Sequence, residues 1–104
     1  MVRVFAKAKS KAGCEDALRA ILQKLMKSSR TEAGVLTYDV FESKEQGEFL
    51  FREEYAGAEE FEAHKRSRHL QVAVARAAPF MDGPLALWIV EPVSSENLPS
   101  DISS

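Results

Sequence analysis

The sequence contains a single cysteine, Cys14, and no long apolar run. One cysteine cannot form an internal disulfide, and without cysteine partners a structural zinc site is not expected. No stretch reaches the length that spans a bilayer, and residues 1–5 lead straight into strand-like sequence without the apolar core of a signal peptide. We therefore expect a cytoplasmic protein with no membrane segment.

The sequence also has no large excess of acidic or of basic residues. The 14 basic and 16 acidic residues give a formal net charge of -2, and the two signs are interleaved along the chain. A nucleic-acid binder needs a basic patch or stripe, so nucleic acid is not expected as a partner. A length of 104 residues with 45% hydrophobic content predicts one domain with a single core, small enough that association would help to bury surface.

Apolar periodicity divides the chain into strands and helices. Alternation over residues 2–9 predicts a first strand. After Gly13, apolar residues recur at three- and four-residue spacing, with acidic residues in the first turn and basic residues towards the end, as in an amphipathic helix. The remaining predicted elements are strands over 35–42 and 48–55, helical pieces over 58–64 and 68–78, and a last strand over 85–91.

Two details of the later elements matter for the fold. The short polar loop with Gly47 predicts that the second and third strands form an antiparallel hairpin. Ser67 is the predicted N-cap of the last helical piece, in which Leu70, Val74 and Ala77 form an apolar stripe with Ala73 alongside.

The element order β-α-β-β-α-β predicts an α+β, ferredoxin-like split βαβ fold. A four-stranded antiparallel sheet would carry the helices on one face, within a domain over residues 1–93, and the Ser-rich residues 94–104 would form a flexible tail. The other sheet face would expose Phe5, apolar hairpin residues and either Trp88 or the pair Leu87 and Ile89. We therefore expect a homodimer through these sheet faces, with an apolar cavity between sheet and helices in each subunit.

Both histidines, His64 and His69, lie in the helical stretch, and histidine is the side chain that titrates near neutral pH. Each has a structural alternative: His64 as an exposed helix-end residue beside Glu60, His69 as a capping or packed residue. Two histidines five apart across a helix break, without a third ligand, predict no metal site. Glu53 shares a strand face with aromatic residues and needs a partner there, as a site residue or in a salt bridge to Arg30, to Arg3 or, across the dimer, to a neighbour of Arg52.

Three stretches of the sequence match a family pattern. They are Arg30-x-Glu32-x-Gly34-x-x-x-Tyr38, the strand end Glu53-x-Tyr55, and Ala63-His64-x-x-Ser67-x-His69. In this order along the chain, and on the predicted β-α-β-β-α-β arrangement, these three stretches resemble the antibiotic biosynthesis monooxygenase family of the dimeric α/β-barrel group. The first strand carries no asparagine, which several members have, and the pattern argues against haem ligation.

The resemblance implies a dimer that binds a planar aromatic or quinone-like molecule and oxygenates it with molecular oxygen, without flavin, haem or metal. An electron-rich phenolate can react with oxygen once a base removes its proton in a dry pocket. His64 and His69 are the implied base or phenol-orienting residues, and Glu53 would fix a histidine tautomer. The residues implied to line the pocket are Tyr38, Phe51, Tyr55, Trp88 and Phe5.

Alternatives stay open at this point. Tyr38, Phe51 and Trp88 are also typical core or interface residues. The same pocket would suit a dimeric small-molecule-binding protein without turnover, or an isomerase that moves protons only.

Overall fold

The computed structural model describes residues 1–94 and has the predicted order of elements. They are β1 (Val2–Lys9), α1 (Glu15–Ser29), β2 (Val35–Glu42), β3 (Glu48–Tyr55), α2 (Ala58–Arg66), α3 (Arg68–Ala77), a 3₁₀ turn (Ala78–Phe80) and β4 (Ala86–Val90). The first three strands have the predicted bounds. The predicted tail lies, apart from Ser94, outside the described residues.

The last strand is one residue shorter at each end than predicted, and two helix boundaries differ from the prediction for local reasons. Helix α1 begins two residues after Gly13, because Gly13 has φ of +83° and so cannot belong to a right-handed helix. Helix α2 continues through Arg66 instead of ending at His64, and Ser67 then takes an extended conformation that separates α2 from α3. No helix among residues 1–94 is long and apolar enough to cross a membrane.

The four strands form one antiparallel sheet in the order β2-β3-β1-β4. Ala6 in the central strand β1 pairs with Phe51 of β3 on one side and Leu87 of β4 on the other. This order, with two β-α-β halves interleaved, is the ferredoxin-like arrangement predicted from the element order.

The helices cover one face of the sheet, and the core lies between them. Leu18, Leu22 and Leu25 of α1 pack in one cluster with Phe49 and Phe51 of the sheet. Full burial of a leucine side chain contributes about 1.5–3 kcal/mol, so this layer holds α1 firmly on the sheet.

The opposite face of the sheet carries an apolar patch, which we call the outer patch: Phe5, Phe41, Leu50 and Trp88. These side chains are between 43% and 53% exposed. Strand register pairs Phe5 with Trp88 and Phe41 with Leu50, so each pair shares a face. Of the two predicted sets in β4, Trp88 therefore lies on this face, whereas Leu87 pairs with the buried Ala6 and faces the helices.

Ser67 forms the junction between α2 and α3 and confirms the predicted N-cap. Its Oγ accepts a hydrogen bond from the Leu70 N–H at 3.3 Å and donates one to the His64 carbonyl at 2.7 Å. In α3, the predicted stripe residues Leu70, Val74 and Ala77 line one cavity together with Ala73, although Val74 is 59% exposed while Ala73 and Ala77 are buried. Val74 lies one residue, or about 100°, around the helix from Ala73, at the edge of the covered face.

Candidate active site

Polar side chains from four elements meet under the helices. Glu32 comes from the loop after α1, Glu53 from β3, His64 from α2 and His69 from α3. The loop of Glu32 returns to the sheet at Gly34, whose φ of +82° suits a residue without a side chain, and the Gly34 carbonyl accepts a hydrogen bond from the Ala56 N–H.

Glu32 holds both histidines through one carboxylate oxygen. Its Oε2 lies 2.7 Å from His64 Nδ1 and 2.6 Å from His69 Nε2. An ionised carboxylate can only accept, so both facing ring nitrogens carry a proton. In a neutral His64 this leaves Nε2 unprotonated, as an acceptor.

His64 is well placed to use that nitrogen. Its side chain is 3% exposed and forms part of the wall of a cavity between sheet and helices. Its Nε2 has no hydrogen-bond partner among residues 1–94. A carboxylate that fixes the tautomer of an imidazole in a cavity wall, and leaves its other nitrogen as an acceptor, is the arrangement used for general bases.

A second carboxyl lies on the same cavity wall. Glu53 is 5% exposed and accepts a hydrogen bond from the Tyr55 hydroxyl. Burial raises the pKa of Glu53 above its ordinary value, although the hydrogen bond from Tyr55 opposes this rise. Burial likewise raises the pKa of Tyr55 and of Tyr38, so both phenols stay protonated.

Aromatic rings surround the buried imidazole. The Tyr38 ring centroid lies 5.2 Å from that of His64, and the Tyr55 centroid lies 5.4 Å from it. The His64 and His69 rings are 6.1 Å apart. These contacts fix the ring plane of His64 and keep water from its buried side.

The cavity has a volume of about 340 Å³ and is mostly apolar. Its polar side chains are Tyr38, Glu53, His64 and Lys65, and its apolar wall includes Phe51 and Val74. A concave apolar site of this size with a few convergent polar groups is typical of small-molecule binding. A separate groove of about 370 Å³, between α1 and α3, reaches His69 from the other side.

Six of the eight sequence-predicted site residues lie in or against this cluster. His64, Glu53, Tyr38 and Phe51 line the cavity, Tyr55 supports Glu53, and His69 shares Glu32 with His64. The structure does not bring the other two to the cavity: Phe5 and Trp88 belong to the outer patch, because β1 and β4 direct them to the opposite sheet face.

The predicted partners of these residues also differ. Glu53 was expected to fix a histidine tautomer or to pair with Arg3 or Arg30, but Arg3 pairs with Glu54 and Arg30 with Asp39. The partner of His64 is Glu32 instead of Glu60.

Glu32 is the residue that the sequence reasoning missed. It stands in the stretch Arg30-x-Glu32-x-Gly34 that carries the family resemblance, so a signal was present, but no role followed from it. Only the fold shows that this loop reaches α2 and α3, which lie 32 and 37 residues further along the chain.

Comparisons with known proteins agree with this architecture. The sequence profile of the family described as "Antibiotic biosynthesis monooxygenase" matches residues 1–76, which include every residue of the polar cluster. The curated protein "Putative monooxygenase Rv0793" of Mycobacterium tuberculosis is 28% identical over 92 residues, covering 88% of this chain and 91% of its own.

Solved structures show the same fold. That of Rv0793 from Mycobacterium tuberculosis superposes with a TM-score of 0.82 and 27% identity, covering 91% of this chain and 97% of its own. The structure "Putative antibiotic biosynthesis monooxygenase from Nitrosomonas europaea" has a TM-score of 0.84 and 21% identity, covering 90% of this chain and all of its own.

Proposed function

The chain belongs to the antibiotic biosynthesis monooxygenase family, and from this premise we propose that it oxygenates quinols or other phenolic, planar aromatic molecules with molecular oxygen. The observation that carries the proposal is the Glu32–His64 pair in the wall of an apolar cavity. The reaction needs no flavin, haem or metal, because the phenolate itself supplies the electrons.

His64 is the proposed base. Its Nε2 takes the proton of the substrate hydroxyl, and the negative charge of Glu32 stabilises the imidazolium that forms. The apolar wall keeps the phenolate poorly solvated, which favours electron transfer from the phenolate to oxygen. His69 is proposed to hold Glu32 in place through the second hydrogen bond to the same oxygen.

The overall reaction balances without an added reductant. One oxygen atom replaces two hydrogens of the substrate as a new carbonyl, the other leaves as water, and the substrate gives up four electrons. Glu53 is proposed to return a proton to the departing oxygen, because burial raises its pKa and so keeps a proton available at higher pH than an ordinary carboxyl.

Oxygen uptake with a panel of benzo- and naphthohydroquinones tests the proposal. Val74→Trp places a large side chain at an exposed position of the cavity wall, and Val72→Trp is the matched control on the same helix, beside the other groove. We expect uptake in the wild type and in Val72→Trp and a loss of at least tenfold in Val74→Trp. Equal rates in both variants, or no uptake above the uncatalysed reaction, would contradict the proposal.

Proton transfer without oxygen is the second candidate function, since the same carboxylate–histidine pair could serve an isomerase. Substrate turnover that continues under nitrogen would favour it. Saturable binding of the aromatic molecule with no product by mass spectrometry would favour a binding protein without turnover.

We also propose that the protein is a cytoplasmic homodimer through its outer patch. Four large apolar side chains on one flat sheet face form a patch of the kind that monomers seldom leave in water. Light scattering should give twice the mass of the chain, and Leu50→Glu should shift the mass towards the monomer. Val93→Glu, which changes a 91% exposed residue, is the control. A wild-type monomer at micromolar concentration would contradict this part of the proposal.

A further inference from the structure

Three potential metal ligands converge at the histidine pair. The Glu32 carboxylate, His64 Nδ1 and His69 Nε2 offer one atom each, and these atoms all lie within 4.8 Å of one another. The sequence alone indicated two histidines on either side of a helix break and no third metal ligand to join them. The loop after α1 supplies it, because Glu32 Oε2 lies within 2.7 Å of both ring nitrogens.

From this geometry we infer that Glu32, His64 and His69 form a binding site for a divalent first-row transition cation such as Zn²⁺ or Co²⁺. Two imidazoles and one carboxylate are a donor set that such cations prefer, and three protein ligands leave a position open for a further ligand. The site goes beyond the proposed oxygenation, which requires no metal.

The ligand atoms need only small movements. Around a tetrahedral cation at about 2.0–2.2 Å from each ligand, neighbouring donor atoms stand roughly 3.4 Å apart, so each imidazole nitrogen must move away from Glu32 by somewhat less than about 1 Å. His69 can provide this movement, because its side chain is 28% exposed, compared with 3% for His64.

Local charge favours a dication. The Glu32 carboxylate is only 16% exposed, so its negative charge is screened little by solvent. The groove that reaches His69 is lined by Lys24, Arg68 and Arg76, which would attract an anion to the open coordination position.

A bound cation would change the chemistry of His64. Coordination through Nδ1 displaces the proton that Glu32 now accepts, so the remaining ring proton moves to Nε2. Nε2 then becomes a donor and cannot act as a base. Cation binding and the base function of His64 are therefore mutually exclusive.

Titration of untagged full-length protein with Co²⁺ and Zn²⁺ tests the inference without any substrate. Calorimetry and the visible absorption of Co²⁺ should show saturation at one cation per chain. His69→Ala and Glu32→Gln should each weaken binding by roughly 100-fold or more, since changes even outside the ligand shell cost about 10–100-fold. Glu59→Gln, an exposed carboxylate at the start of α2, should leave binding unchanged.

X-ray absorption of the zinc-loaded wild type identifies the zinc ligands directly, so it tests the inference even if a variant fails to fold. The chain has only two histidines, so two imidazoles bound to zinc must be His64 and His69. One imidazole or none, no saturable binding by the wild type, or binding that survives in His69→Ala and Glu32→Gln would overturn the inference. All of these experiments measure cation binding to the protein. Their outcome therefore does not depend on whether the oxygenase proposal is correct.

Discussion

Glu32→Gln tests the residue on which the site depends. The substitution keeps the shape of the side chain but removes the charge that accepts hydrogen bonds from His64 and His69. The amide also presents a donor of its own, so it no longer dictates which nitrogen of His64 carries the proton. We expect a loss of stability together with a change in the His64 tautomer.

The size of the stability loss follows from the two bonds. A hydrogen bond to a charged group contributes about 1.5–3 kcal/mol and a neutral one about 0.5–1.5 kcal/mol, so replacing two of the former should cost about 2 kcal/mol. In a domain of this size, that corresponds to a fall in melting temperature on the order of 10 °C. If His64 is the base, the catalysed rate should also fall, by about 100-fold or more.

The assay combines thermal unfolding with nitrogen-15 spectra of the histidine rings. Glu62→Gln is the matched control, because Glu62 pairs with Lys65 on the exposed face of α2 and such pairs contribute under about 1 kcal/mol. In the wild type we expect a protonated Nδ1 and an unprotonated Nε2 on His64. Unchanged stability and unchanged ring signals in Glu32→Gln would refute the assignment of Glu32 as the residue that orients His64.

Three further predictions concern the surroundings of the site. Because the pKa of Glu53 is raised in the fold, its ionisation destabilises the protein at neutral pH, and Glu53→Gln should be the more stable protein at pH 7. This difference should shrink as the pH falls through the raised pKa of Glu53 and be lost below about pH 4.3, the ordinary value of an unfolded glutamate. Chemical denaturation across pH measures this, and a constant difference would contradict it. Ser67→Ala should lower the free energy of unfolding by about 1 kcal/mol, because the Leu70 N–H loses its cap. Urea denaturation measures this, and an unchanged midpoint would contradict it. Gly34→Ala should cost at least about 1–2 kcal/mol, because φ is +82° and the new Cβ would lie 2.2 Å from Glu60 Cγ; a melting temperature equal to that of the wild type would contradict this.

The fold was predictable because its local signals agree with each other. The alternation in β1, the leucine spacing in α1 and the cap at Ser67 each depend on neighbours a few residues away, and the structure confirms all three. Helical spacing identified the apolar stripe of α3 but not how far each residue is buried: Ala77 is covered and Val74 is 59% exposed, and only the packing of α3 decides this.

The site was predictable only in part. Histidine chemistry and the apolar strand face pointed to His64, His69 and Glu53, and these residues do lie together. The aromatic residues Phe5 and Trp88 carry the same chemical signal as Tyr38 and Phe51, but strand register sends them to the outer patch. Glu32 is a charged loop residue like many others, and its role depends on a contact across 32 residues of sequence that no local pattern encodes.

Product analysis under oxygen-18 gas shows directly whether the protein inserts an atom of molecular oxygen into its substrate. With a hydroquinone that the protein turns over, we expect one labelled oxygen atom in each product molecule, no product under nitrogen, and a loss of about 100-fold or more in His64→Gln. Product that carries no label, or that forms at an unchanged rate under nitrogen or in His64→Gln, would contradict the proposed oxygenation.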